Sequence, residues 1–176
     1  GAVMTEDQLK KVADVVKRHD LIVAADEIYS ELTYGTEHTA FAKIPDMWER
    51  TVTINGFSKS YAMTGWRLGY VVGTNTDIMQ HMFKMQQAVA SCLPLFIMQG
   101  LAEQILKVHQ YNVTCAATMG QYAAIEAMKN GDRDIANMRF EYNERRKFLL
   151  KSLRDMGFDC FEPKGAFYVF PSIEKT

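Results

Sequence analysis

One stretch of this sequence carries more chemistry than a connector needs: Asn55-Gly56-Phe57-Ser58-Lys59-Ser60-Tyr61-Ala62-Met63-Thr64-Gly65-Trp66-Arg67-Leu68-Gly69-Tyr70. It combines glycines that permit close backbone approach with two cations, Lys59 and Arg67, and with hydroxyls and aromatic rings. A bound phosphorylated aromatic molecule would require such a set. Asp26, which closes the apolar run Leu21 to Ala25, adds an acidic group. Each residue also has a plainer reading when taken singly. A loop lysine points to solvent because its charge is costly to bury unpaired. An arginine heading an apolar strand serves an ion pair, and an aspartate ending one caps a helix or shapes a turn.

The elements that must position these residues are legible from periodicity. Thr5 followed by Gln8 reads as a capping box, and Leu9, Val12, Ala13 and Val16 recur at helical spacing, so the pattern predicts an amphipathic helix over about residues 5 to 18. Leu21 to Ala25 is short and wholly apolar, as in a buried parallel strand whose end delivers Asp26 to a cleft. Thr51 to Ile54 and Arg67 to Val72 read the same way, giving three buried strands whose carboxyl ends are where open α/β sheets place ligands. Trp66 and Tyr70 then read as packing residues rather than ligand contacts.

After Gly73 the character turns helical. Residues 77 to 107 and 109 to 129 are rich in Met, Ala, Leu and Gln, and Ile135, Met138, Tyr142, Leu149 and Leu153 mark a further helix that stops near Gly157. Phe158 to Phe161 and Ala166 to Phe170 read as strands around a Pro163-Lys164-Gly165 turn. The change to an α+β pattern predicts a boundary near residue 105, with a first unit over 1–105 and a second over 106–176. Lys84, Gln87, Cys92 and Glu103 recur as Lys107, Gln110, Cys115 and Glu126, which reads as one duplicated helical segment.

Bulk properties narrow the function classes. The 176 residues are 48% hydrophobic with a formal net charge of -1, enough chain for a real core and without the basic surface that nucleic acid or an anionic membrane would call for. Three cysteines and four histidines fall in no metal-ligand spacing, so no metal is expected and a reducing cytoplasm fits. No segment has the length of a membrane span. A small-molecule ligand is the default.

The order of residues from Gly56 to Gly69, Gly-Phe-Ser-Lys and then Ala-Met-Thr-Gly-Trp-Arg-Leu-Gly, resembles the cofactor-lysine signature of the class I and II aminotransferases. Ala25-Asp26-Glu27-Ile28-Tyr29 is similar to that family's acidic-strand motif, and Pro163-Lys164-Gly165-Ala166-Phe167-Tyr168 to its small-domain strand. The resemblance spans nearly the whole chain. It implies an α/β fold: part of the mostly parallel-sheet large domain of the type I pyridoxal-phosphate fold, followed by part of an α+β small domain.

The same resemblance implies pyridoxal phosphate as cofactor and transfer of an amino group between an amino acid and a 2-oxo acid. Lys59 would form the Schiff base and move the proton, which requires surroundings that favour its neutral form. Asp26 would pair with the pyridine nitrogen, Tyr29 with the phenolic oxygen, and Arg67 with the phosphate, Ser58 adding a hydroxyl contact. Relatives often carry a hydroxyl residue where Gly56 stands, so backbone is expected to replace that phosphate contact. By the same resemblance the partner is a second copy in a homodimer. The preceding turn's Asn, the other half of the large domain and the substrate-carboxylate Arg are expected outside residues 1–176, making the chain a fragment with doubtful activity by itself. Another pyridoxal-phosphate reaction, as in lyases and synthases of this fold, and a non-catalytic aminotransferase-like domain remain alternatives.

Overall fold

The computed structural model describes residues 1–89 and 116–173, and the side chains of all of these except 86–89. The elements in chain order are α1 (Glu6–Arg18), β1 (Val23–Asp26), β2 (Thr51–Gly56), α2 (Phe57–Ser60), β3 (Gly69–Val72), α3 (Thr76–Val89), α4 (Thr118–Asn130), α5 (Asp132–Asp155), β4 (Asp159–Cys160) and β5 (Pro171–Ser172). Three single 3-10 turns lie at Phe41–Lys43, Trp48–Arg50 and Thr64–Trp66.

The start of α1 is set locally. Thr5 accepts from the Gln8 N–H at 3.3 Å while the Gln8 side chain takes the Thr5 N–H at 2.8 Å, so two otherwise orphaned donors are satisfied reciprocally. Glu6 and Asp7 in the first turn and Lys17 and Arg18 in the last complement the helix dipole. Leu9, Ala13 and Val16 face inward and pack with Phe41, Ile44 and Met47, with Val23 and Ala25 of β1 against them. Val12, expected in the same stripe, is 39% exposed and lies along a cleft wall instead.

β1 and β2 pair in parallel, Val23 opposite Thr51 and Asp26 opposite Ile54. β3 departs from the expected buried parallel strand. It runs antiparallel to β2, Gly56 opposite Gly69 and Thr53 opposite Val72, because the chain doubles straight back and the Phe57 N–H donates to the Leu68 carbonyl at 3.3 Å. It starts at Gly69 rather than Arg67, since Arg67 has φ 51°, outside the extended region. Its residues are exposed, Tyr70 at 43% and Val72 at 45%.

From Thr118 the helices α4 and α5 carry the chain to Asp155, and Gly157, with a φ of 90°, takes it out of α5 in the manner expected of a glycine after a helix end. The expected strand at Ala166 to Phe170 is absent. Ala166 adopts φ 56°, and the chain just before it bridges elsewhere, Gly165 to Thr33, with Tyr34 N–H on the Lys164 carbonyl and Ala166 N–H on the Leu32 carbonyl, each at 2.8 Å. The short β4 pairs with β5 instead. The boundary expected near residue 105, and most of the near-repeat, lie outside the described residues. Among the described residues no helix is long and apolar enough to cross a membrane.

Candidate functional site

β1 and β2, side by side and parallel, end at a common edge, and the candidate residues arise there. Asp26 is the last residue of β1 and is exposed. One of its oxygens accepts from the Ile28 N–H at 3.3 Å, so it also shapes the turn it begins. The turn reading of Asp26 therefore holds.

The turn that follows is fixed from beneath by Glu27, which sequence reasoning passed over. Its N–H continues the ladder to the Ile54 carbonyl at 2.9 Å. Its buried carboxylate accepts from the Phe41 N–H at 2.9 Å and lies 3.3 Å from His38 Nε2. Burial pushes this carboxyl up, but the bonds from His38 and the Phe41 N–H, with the charges of His38 and Lys43, outweigh it and hold it below the usual glutamate value. A charged residue directly after an apolar strand was the signal available in the sequence.

Tyr29, one turn further on, is half-buried, and its hydroxyl lies 2.6 Å from that of Tyr168. Its ring meets Phe167 edge-on at 5.4 Å and Tyr168 at 5.7 Å. Burial, then the bond to Tyr168 and the negative charges of Tyr168 and Asp26, push its ionisation up to about 12. The phenol thus stays a neutral donor at neutral pH. Asp26, Tyr29 and Tyr168 line a cleft of about 490 Å³, together with residues Gly1 to Met4 and with Gly165.

Lys59 and Arg67 lie on the loop from β2 to β3. Phe57 is buried and anchors the single turn of α2, which leaves Lys59 half-buried with Nζ 5.4 Å from the Phe167 ring centroid. Phe167 therefore touches both Lys59 and Tyr29. Arg67 is exposed, and Nη1 donates to the Thr64 carbonyl at 3.2 Å, while the Thr64 hydroxyl donates to the Ser58 carbonyl at 2.9 Å. Thr64, also missed from sequence, thereby ties together the arginine and the serine assigned to phosphate.

Gly56 is needed by a close approach: an added Cβ would meet Gly69 Cα and the Leu68 carbonyl oxygen, each at 3.0 Å. Its N–H donates to Asn55 Oδ1 at 2.7 Å, so the backbone donor expected to replace a hydroxyl here is already engaged. Tyr70 packs on Phe57 at 5.8 Å, as expected of a packing residue, although 43% of it is exposed. Ser60 Oγ is buried without a hydrogen-bond partner among the described residues.

An amine, a carboxylate, a phenol and a guanidinium thus rise from the ends of β1 and β2 and from the loop after β2. As a donor set they suit a ligand carrying an aldehyde, a basic ring nitrogen, a phenolic oxygen and a phosphate. The sequence profile described as aminotransferase class I and II matches residues 1–176. The chain belongs to that family. It is 39% identical to an aspartate aminotransferase of Pyrococcus abyssi, over 100% of this chain and 40% of that protein. It is 36% identical to an aromatic-amino-acid aminotransferase of Thermococcus litoralis, again over 100% of this chain and 40% of that one. Its fold matches the crystal structure of an aromatic aminotransferase from Pyrococcus horikoshii with a TM-score of 0.73 and 40% identity, covering 98% of this chain and 40% of that one. The chain therefore spans about 40% of the length of these relatives. The structure is accordingly an α/β portion of the type I aminotransferase fold.

Proposed function

We propose that this chain forms the lysine-bearing part of an aminotransferase that uses pyridoxal phosphate to move an amino group between an amino acid and a 2-oxo acid. The observation that carries it is that Tyr29 and Lys59 both meet the Phe167 ring, with Asp26 at the end of β1 in the cleft that Tyr29 also lines, in a chain that belongs to the class I and II aminotransferases. Bound pyridoxal phosphate supplies a carbonyl carbon to carry the amino group and a ring to take up electron density.

The chain's own residues do the rest. Lys59 would hold the cofactor through its amine and, once free of it, would carry a proton at Nζ to and from the substrate Cα. Asp26 accepts from the protonated pyridine nitrogen and keeps it protonated through its charge. Tyr29 donates to the phenolic oxygen, a role suited to a phenol that ionises only near about 12. Arg67 sets its fork of donors on the phosphate, and Ser58 adds its hydroxyl, their spacing held by Thr64. A homodimer in the cytoplasm completes the proposal, on the resemblance to the family.

The test does not depend on turnover. Pyridoxal phosphate added to the chain, and to any longer polypeptide containing it, should give a yellow chromophore. Reduction with borohydride should then leave a pyridoxyl group on Lys59, located by peptide mapping. Labelling elsewhere, or none in a polypeptide of the relatives' length, rejects the assignment. Amino-donor panels on that polypeptide then define the substrate.

A further inference from the structure

We propose that Tyr168 is a positioning residue for Tyr29, donating a hydrogen bond to the Tyr29 hydroxyl so that the Tyr29 proton is left for the bound ring; this rests on the role given to Tyr29 above. The two hydroxyls lie 2.6 Å apart, and either could donate. Each phenol has one proton. If Tyr29 gave its proton to Tyr168, none would remain for a ligand. With Tyr168 as donor, Tyr29 accepts and donates at once, and each bond in such a chain strengthens the next. An anionic oxygen at the far end favours that order further.

The geometry holds Tyr168 in place for this task. Tyr34 Oη donates to the Ala166 carbonyl, and the Leu32 and Lys164 carbonyls accept from the Ala166 and Tyr34 N–H groups, so the chain two residues before Tyr168 is pinned to the segment after Tyr29. The Tyr29 ring is gripped edge-on by both Phe167 and Tyr168. The contact joins positions 139 residues apart and couples the segment after α5 to the turn after β1. Other charged or titratable groups around the pair are Asp26 on the same turn, Lys59 against Phe167, and Tyr142 stacked on Phe167 with Arg145 over its ring.

The experiment has two arms, both comparing parent protein with Tyr168→Phe, which keeps the ring and removes only the hydroxyl. Without cofactor, Tyr29 is titrated by NMR with isotope-labelled tyrosine, its signal assigned by its loss in Tyr29→Phe. In the free protein the bond raises the Tyr29 ionisation, the effect of Tyr29 donating to Tyr168, and the bound ring is what turns the pair round. In Tyr168→Phe the free-state ionisation should therefore fall from about 12 toward the ordinary 10.0, without reaching it because burial remains. An unmoved titration overturns the proposal. With pyridoxal phosphate, the pH midpoint of the visible absorbance should move in the same direction in Tyr168→Phe as in Tyr29→Phe, by less, and the double variant should add nothing to Tyr29→Phe. A midpoint that moves in Tyr29→Phe but not in Tyr168→Phe also overturns it. Absence of any chromophore in the parent rejects the cofactor role, and the tyrosine titration then decides the hydroxyl pair alone.

Discussion

The turn after β1 and the loop after β2 both carry candidate catalytic residues, yet they are held in opposite ways. The β1 turn is fixed by distant partners: Glu27 reaches Phe41 and His38, Tyr29 reaches Tyr168, and Leu32 and Tyr34 bond the segment around Gly165. The β2 loop is fixed almost wholly by itself, through Met63 N–H to the Phe57 carbonyl, Thr64 to Ser58 and Arg67 to Thr64. The residues proposed to tune the ring thus depend on tertiary assembly. The residues proposed for the lysine and phosphate sit on a locally closed unit, and that is why their motif reads so clearly as a string of letters.

This contrast can be broken from the core outward. Met47 is fully buried beneath the Phe41 turn that Glu27 grips, so Met47→Ala should cost about 2–5 kcal/mol in urea unfolding. It should loosen the β1 turn in hydrogen exchange more than the β2 loop. Equal loosening of both would deny the difference.

Glu27→Ala strips the partner from a buried N–H and from His38, with an expected loss of about 1–3 kcal/mol. The pH dependence has a definite sign. The folded carboxyl is held below its ordinary 4.5, so its stabilisation is present above that value and disappears as pH falls through the folded value. Parent stability should therefore drop in acid by a component that Glu27→Ala lacks, as read from unfolding curves between neutral pH and about pH 3.

Thr64→Val keeps the shape but removes the hydroxyl bond to the Ser58 carbonyl, at an expected cost of about 1 kcal/mol. It should lower cofactor affinity at the proposed phosphate site while leaving the Tyr29 titration unchanged. A moved Tyr29 would show the two regions to be coupled. The smallest effect is expected at Ser60, where the buried hydroxyl lacks a partner among the described residues. Ser60→Ala should raise stability slightly, by less than about 1 kcal/mol.

Whatever depended on neighbours in the chain was determined by the sequence alone. The capping box of α1 and the end of α5 at Gly157 rest on contacts within a few residues. The strand ending in Asp26 and the motif from Gly56 to Gly69 were marked by their runs of residue types, although pairing with β2 and β3 holds them. Only the tertiary structure decided the rest. The reversal of β3, the loss of the Ala166 to Phe170 strand to pairing near Thr33, and the meeting of Tyr29 with Tyr168 each involve partners brought together by the fold. Periodicity reports which face of an element is apolar, not which distant backbone will pair with it. Lys59 could therefore be picked out by its motif, whereas the Phe167 ring that it shares with Tyr29 had to be seen.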